Sequence, residues 1–100
     1  MKTPEERKQY FEDKFREIPP QVLEQAIAVF ESLPAEFKTE CRVRHAIEPD
    51  NWISCWHLSV GMQLRNLLRQ KGLTDDLLPD KNWDDYYVQV LEVSLGLRSL

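Results

Sequence analysis

Basic residues are in deficit. Thirteen Lys and Arg stand against 17 Asp and Glu, a formal net charge of -4. Nucleic-acid binding leans on clustered cations that neutralise phosphates, so that class is set aside, and an anionic membrane surface with it. Long apolar runs are missing too. No stretch reaches the ~18 apolar residues of a membrane span, so none is expected. The opening run MKTPEERKQYF is charged where a secretory signal needs an apolar stretch. Cysteine is scarce, with only Cys41 and Cys55. Without a signal, the expected setting is the cytoplasm, where both thiols stay reduced. Glycine is nearly as scarce: three in 100 residues, too few for a Gly-rich phosphate loop.

What is present suits one helical domain over residues 1–100. Hydrophobic residues make up 42% and aromatics 10%, well clear of the disordered class. A chain of this size buries roughly two-thirds of its unfolded surface on folding. Thr3-Pro4-Glu5-Glu6 reads as a helix start, with Thr3 as cap and Glu6 completing a capping box. Phe11, Phe15 and Ile18 then share a face, and Pro19-Pro20 ends that helix and opens the next. There Leu23, Ile27 and Phe30 form a stripe flanked by Val22, Ala26 and Leu33, until Pro34 stops it. Residues 35–49 alternate weakly at Cys41, Val43 and His45. A lone strand leaves its backbone unpaired, so helical turns and loop are favoured. Asp50 is a plausible cap for a third helix to about Lys71, which Gly72 terminates. Thr74 starts a single turn over 74–78, and Asn82 caps a last helix that Gly96 closes. The expected fold is all-α: a bundle of four main helices plus short turns, with the helix of about 50–71 at its centre.

That central helix contains HLSVGMQLRN, residues 57–66. At 100° per residue its apolar positions, from Trp52 and Ile53 to Leu67 and Leu68, cover an arc of about 240° with Gly61 and His57 inside it. Each odd residue has two readings. Gly61 costs about 1 kcal/mol against Ala in a helix. It marks close approach of a helix or an aromatic ring, or else the floor of a ligand site. On the first reading Leu at 61 overpacks the site, while Ala is tolerated if its methyl fits. His57 is a buried neutral histidine hydrogen-bonded to a carbonyl or a tyrosine, or a base or pH sensor. Arg65, at the edge of the arc, anchors the helix to a carboxylate, with Asp85 favoured over Asp84, or offers its charge to a partner. Asn66 lies outside the arc. His57, Arg65, Asn66 and Asp85 are the candidate binding residues.

Other chemistry lacks the spacing it needs. Cys41, His45, Cys55 and His57 invite zinc, but Cys55 and His57 point about 160° apart on a helix and no knuckle spacing is present. No cysteine has a histidine placed for it by local geometry, and no elbow motif surrounds Ser54, Ser59 or Ser94. Asp75, Asp76, Asp80, Asp84 and Asp85 lack the order of a calcium loop, and helix capping accounts for most of them. No catalytic residue, metal or cofactor is expected.

The run His57, Ser59, Gly61, Leu64, Arg65 and Asn66, followed by Asp84-Asp85, resembles a group of small bacterial helical domains of no assigned activity. The resemblance covers roughly residues 50–95. It departs in a shorter connection between the two helices, and in Tyr86, where the group tends to have Met. It implies a helical fold and a bacterial or phage source, and no activity. Two functions are carried forward. The first is a protein-binding module, supported by the acidic surface and by aromatics (Trp52, Trp56, Trp83, Tyr86, Tyr87) in excess of what a core requires. Its partner is another protein, a second copy of the chain included. The alternative is a small-ligand binder or enzyme with His57, Arg65 and Asp85 converging on a pocket.

Overall fold

The computed structural model describes residues 3–49 and 52–98, apart from the side chains of Pro4 and Cys55. The expected cap Asp50 therefore lies outside the described residues. Five α-helices follow one another: α1 (Pro4–Glu17), α2 (Pro20–Glu31), α3 (Ala35–Ile47), α4 (Val60–Gln70) and α5 (Tyr87–Ser94). Single 3-10 turns lie at Ser54–Trp56 and Asp75–Leu77, and the described residues contain no strand. Among them no helix is long and apolar enough to cross a membrane.

Local chemistry sets most of the boundaries. Thr3 Oγ1 accepts the Glu6 backbone N–H at 3.1 Å and caps α1. Pro20 begins α2, and Pro34 immediately precedes α3. The backbone at Gly72 and Gly96 is left-handed, with φ of 89° and 77°. At each end the next residue's N–H reaches back five positions, Leu73 to Leu68 at 3.0 Å and Leu97 to Glu92 at 2.8 Å. This is the helix stop that glycine favours.

Three expectations about the architecture change. Residues 35–47 form a full helix, so the described residues hold five main helices. Glu36 in the first turn of α3 and Arg44 and His45 in its last suit the helix dipole, and Cys41 faces the core. The anticipated helix of about 50–71 is broken before Val60. In an unbroken helix Trp52 and Trp56, four apart, would share a face. Here Trp52 donates its indole N–H to Glu92 on α5 at 3.0 Å. Trp56 instead stacks on Phe37 of α3, with ring centroids 6.0 Å apart, under the Arg44 guanidinium at 3.9 Å. Two docking partners pull the aromatics apart and override helix propensity.

The third change is the centre of the molecule, which is α5. It packs on α2 and α1, and Tyr87, Gln89, Val90, Leu91 and Glu92 are all buried. α4 buries the narrower stripe Gly61, Leu64, Arg65 and Leu68, spaced i, i+3, i+4, i+7. The α2 stripe is Val22, Ala26 and Phe30, with Leu23 and Ile27 half-buried. Trp52, Trp83, Tyr86 and Tyr87 are core residues, so the aromatics are not a surface surplus.

The chain between α4 and α5 is held by polar ties. Asp75 pairs with Arg69 through two hydrogen bonds, 2.5 and 2.9 Å, and accepts the Trp83 backbone N–H at 3.0 Å. The Trp83 indole donates to Leu73 O at 2.9 Å. Asn82 Oδ1 accepts the Asp84 N–H at 2.6 Å, but α5 begins only at Tyr87, because Trp83 is fixed in this web and the chain turns once more before the helix. The hydrogen bonds from Arg69 hold the Asp75 carboxyl below the usual carboxylate range. A carboxyl depressed on folding adds stability that is present above its unfolded value, about pH 3.9, and lost as pH falls through the folded value. Asp75→Ala should cost about 2 kcal/mol at pH 7, the order of hydrogen bonds to a charged group. In denaturant unfolding across pH, the gap to wild type should narrow below about pH 4. A gap that widens on acidification would contradict the role given to Asp75.

Candidate functional site

α4 turns Gly61 toward the core, and the start of α5 brings Tyr87 to the same place. A Cβ built on Gly61 would overlap the Tyr87 hydroxyl and stand 3.1 Å from its Cζ. The close-approach reading of Gly61 therefore fits, with an aromatic ring as the neighbour. Even the methyl of Ala does not fit there without a shift, because the obstructing atom ends a rigid, buried ring.

Around that contact lies a polar cluster. The Tyr87 hydroxyl is 2.9 Å from His57 Nδ1, and the two rings stack at 5.8 Å. An Arg65 guanidinium nitrogen lies 3.3 Å from the same Nδ1, and the guanidinium covers the Tyr87 ring at 5.1 Å. Burial pushes the Tyr87 hydroxyl up to about 12, with Arg65 opposing and Asp84 reinforcing. It therefore stays a donor at neutral pH. Arginine has donors only, so the tautomer of His57 that fits this contact is the one whose Nδ1 is free to accept. Arg65 Nε completes the cluster with Asp84 Oδ1 at 3.1 Å.

The candidate residues thus separate. His57 and Arg65 come together. Asn66 is exposed and accepts from Arg69 at 2.7 Å. Asp85 accepts the Tyr10 hydroxyl at 3.1 Å, on α1. The anchor of Arg65 is Asp84, not Asp85. A helix starting at Asn82 would favour Asp85, whereas Asp84, Asp85 and Tyr86 form a turn ahead of α5, and this changes which aspartate meets Arg65 of α4. Tyr87 is the member that the sequence does not single out at this cluster, and Asp84 ranks there behind Asp85. The glycine was the available signal, since it asked for a bulky neighbour. None of His57, Arg65, Asn66 and Asp85 lines either described cavity. Asp85 sits with Tyr10 on α1, while His57 and Arg65 meet at Tyr87. The arrangement ties α4 to the approach of α5. Comparison with protein-family models, curated proteins and solved structures finds no match to this chain.

Arg65 is 5% exposed, whereas half of the Asp84 side chain faces solvent. Asp84→Ala strands a buried cation and should cost on the order of 3 kcal/mol. Asp85→Ala removes a partly buried hydrogen bond from Tyr10 and should cost about 1 kcal/mol. Chemical denaturation of the two variants checks the order, and a costlier Asp85→Ala would contradict the assignment of the anchor.

Proposed function

We propose that the chain is a small helical module that binds another protein. One observation carries this reading: large aliphatic side chains left in solvent while the aromatics are spent on the core. Ile47 is 78% exposed and Leu58 79%, with Val43 and Met62 about half exposed. Val43 and Ile47 stand one turn apart on the outward side of α3. Leu58 and Met62 flank the start of α4, which the Phe37–Trp56–Arg44 stack joins to α3. Isolated exposed apolar residues are ordinary, but pairs on adjoining elements suit a contact face. An apolar groove of about 350 Å3 between the α2–α3 junction and α4 adds Leu33, Phe37, Val60, Leu64 and Leu67. Glu36, Glu40 and Glu48 on or just after α3 are balanced by Lys38, Arg42 and Arg44, so the partner suited to this face is apolar and carries no marked charge. A cytoplasmic setting belongs to the same reading, and the buried Cys41 thiol, pushed up to about 11 by burial, suits a reduced state there.

The test is affinity capture from the source cells with the full chain and with Ile47→Glu and Leu58→Glu, quantified by mass spectrometry. Both variants should keep the wild-type circular dichroism, because the side chains are exposed. The reading expects at least one protein captured by wild type and lost with both variants. If that protein is the chain itself, light scattering should show a dimer that both variants dissolve. Capture unaffected by either charge would contradict the proposed face.

A further inference from the structure

α1 is held differently from α2. None of its described side chains is fully buried, and Phe11 and Phe15 are half-buried. α2 by contrast buries Val22, Ala26 and Phe30. What fastens α1 is a row of polar ties to the segment from Asp80 to Arg98. The Tyr10 hydroxyl donates to Asp85 at 3.1 Å, and Glu17 accepts the Tyr86 hydroxyl at 3.2 Å. Phe11 O accepts from Gln89 Nε2 at 3.2 Å. Lys14 pairs with Asp80, and Glu12 with Arg98.

The fit beneath the helix is loose. A cavity of about 880 Å3 lies between α1, the segment around Trp52, and α5. Lys8, Phe11 and Glu12 line it from α1, and Trp52, Val88 and Leu97 from the opposite side. α1 therefore spans a space instead of filling it. The seam is also imperfect at Gln89, whose buried Oε1 has no donor. A buried acceptor left unpaired is costly, so this tie adds less to docking than a fully satisfied amide would. At the far end of α1 stands a joint. Ile18 and Pro19 are extended, with ψ of 125° and 137°, and the buried Ile18 side chain anchors them to the core.

Elements with few buried apolar contacts open at a lower free energy than the core around them. The two ion pairs are accessible to salt, since the Asp80 side chain is 46% exposed and that of Glu12 31%. Screening weakens such pairs. We propose that α1 is a lid over this cavity, which swings out as one body about the Ile18–Pro20 joint while α2 to α5 stay folded, and that ionic strength sets how often it opens. None of Val43, Ile47, Leu58 and Met62 lines the cavity, so the lid stands independently of the protein-binding face.

Native-state hydrogen exchange of the 15N-labelled full chain, followed by nuclear magnetic resonance, tests this. The amides of residues 8–17 should exchange through one shared opening, at a lower free energy than those of α5. Raising NaCl from about 0.05 to about 0.5 M should increase that opening roughly threefold or more, because both ion pairs are screened. Exchange within α5 should not change. In Glu12→Gln, which loses the charge pair with Arg98, the opening should already be raised at low salt and should respond less to added salt. If that variant does not fold, the wild-type salt comparison still decides. Exchange of α1 only together with α5, protection that fades residue by residue from Pro4, or an opening indifferent to salt would overturn the proposal.

Discussion

The Tyr87 hydroxyl occupies the space that a side chain at position 61 would need. This contact sets how closely α4 approaches the start of α5. A phenol brought into a core must find a hydrogen-bond partner, and His57 Nδ1 provides one. Arg65 then closes over the ring and reaches Asp84 at the edge of the protein. One missing Cβ thus admits a ring, the ring orders a histidine, and the arginine ties both to the chain leading into α5. The helix-propensity penalty of glycine, about 1 kcal/mol, is offset by burying an aromatic side chain, which contributes more than that.

The same helix is held from its other end by a second polar web. Glu92 gathers Trp52 and Arg98, and Arg98 also pairs with Glu12 of α1 at 2.5 Å. Between them Val90 and Leu91 are fully buried. A short helix of eight residues has little stability of its own. Its place at the centre comes from packing against α2 and α1 and from these side-chain ties. Buried polar groups are costly when unpaired. Their pairing around α5 restricts the ways in which the other helices can be arranged on it, and Gln89 Oε1 stands out as an acceptor left over from that pairing.

Helix ends were legible in the sequence because they depend on neighbouring residues. Thr3 with Glu6, the prolines at 20 and 34, and the glycines at 72 and 96 all act over one turn of chain. The all-helical class was legible for the same reason. The break before α4 was not. It arises because Trp52 and Trp56 dock on different helices, and no local rule contains that choice. The choice of Asp84 over Asp85 depends on the turn at 84–86, which Trp83 imposes through bonds to Asp75 and Leu73. The width of an apolar arc was also a poor guide to centrality. His57 and Trp56 entered it as apolar positions, yet one turns to Tyr87 and the other to Phe37.

The contact between Gly61 and Tyr87 is tested most directly by a double-mutant cycle on Gly61→Ala and Tyr87→Phe, read as unfolding free energies in denaturant. In the wild-type background Gly61→Ala should destabilise by about 1–3 kcal/mol, the cost of overpacking, despite its better helix propensity. Removing the hydroxyl should relieve most of that cost, so that Ala at 61 becomes close to neutral beside Phe at 87 and the coupling exceeds about 1 kcal/mol. Additive effects, or a wild-type background stabilised by Gly61→Ala, would contradict the claim that the tyrosine hydroxyl fills the space of the missing side chain.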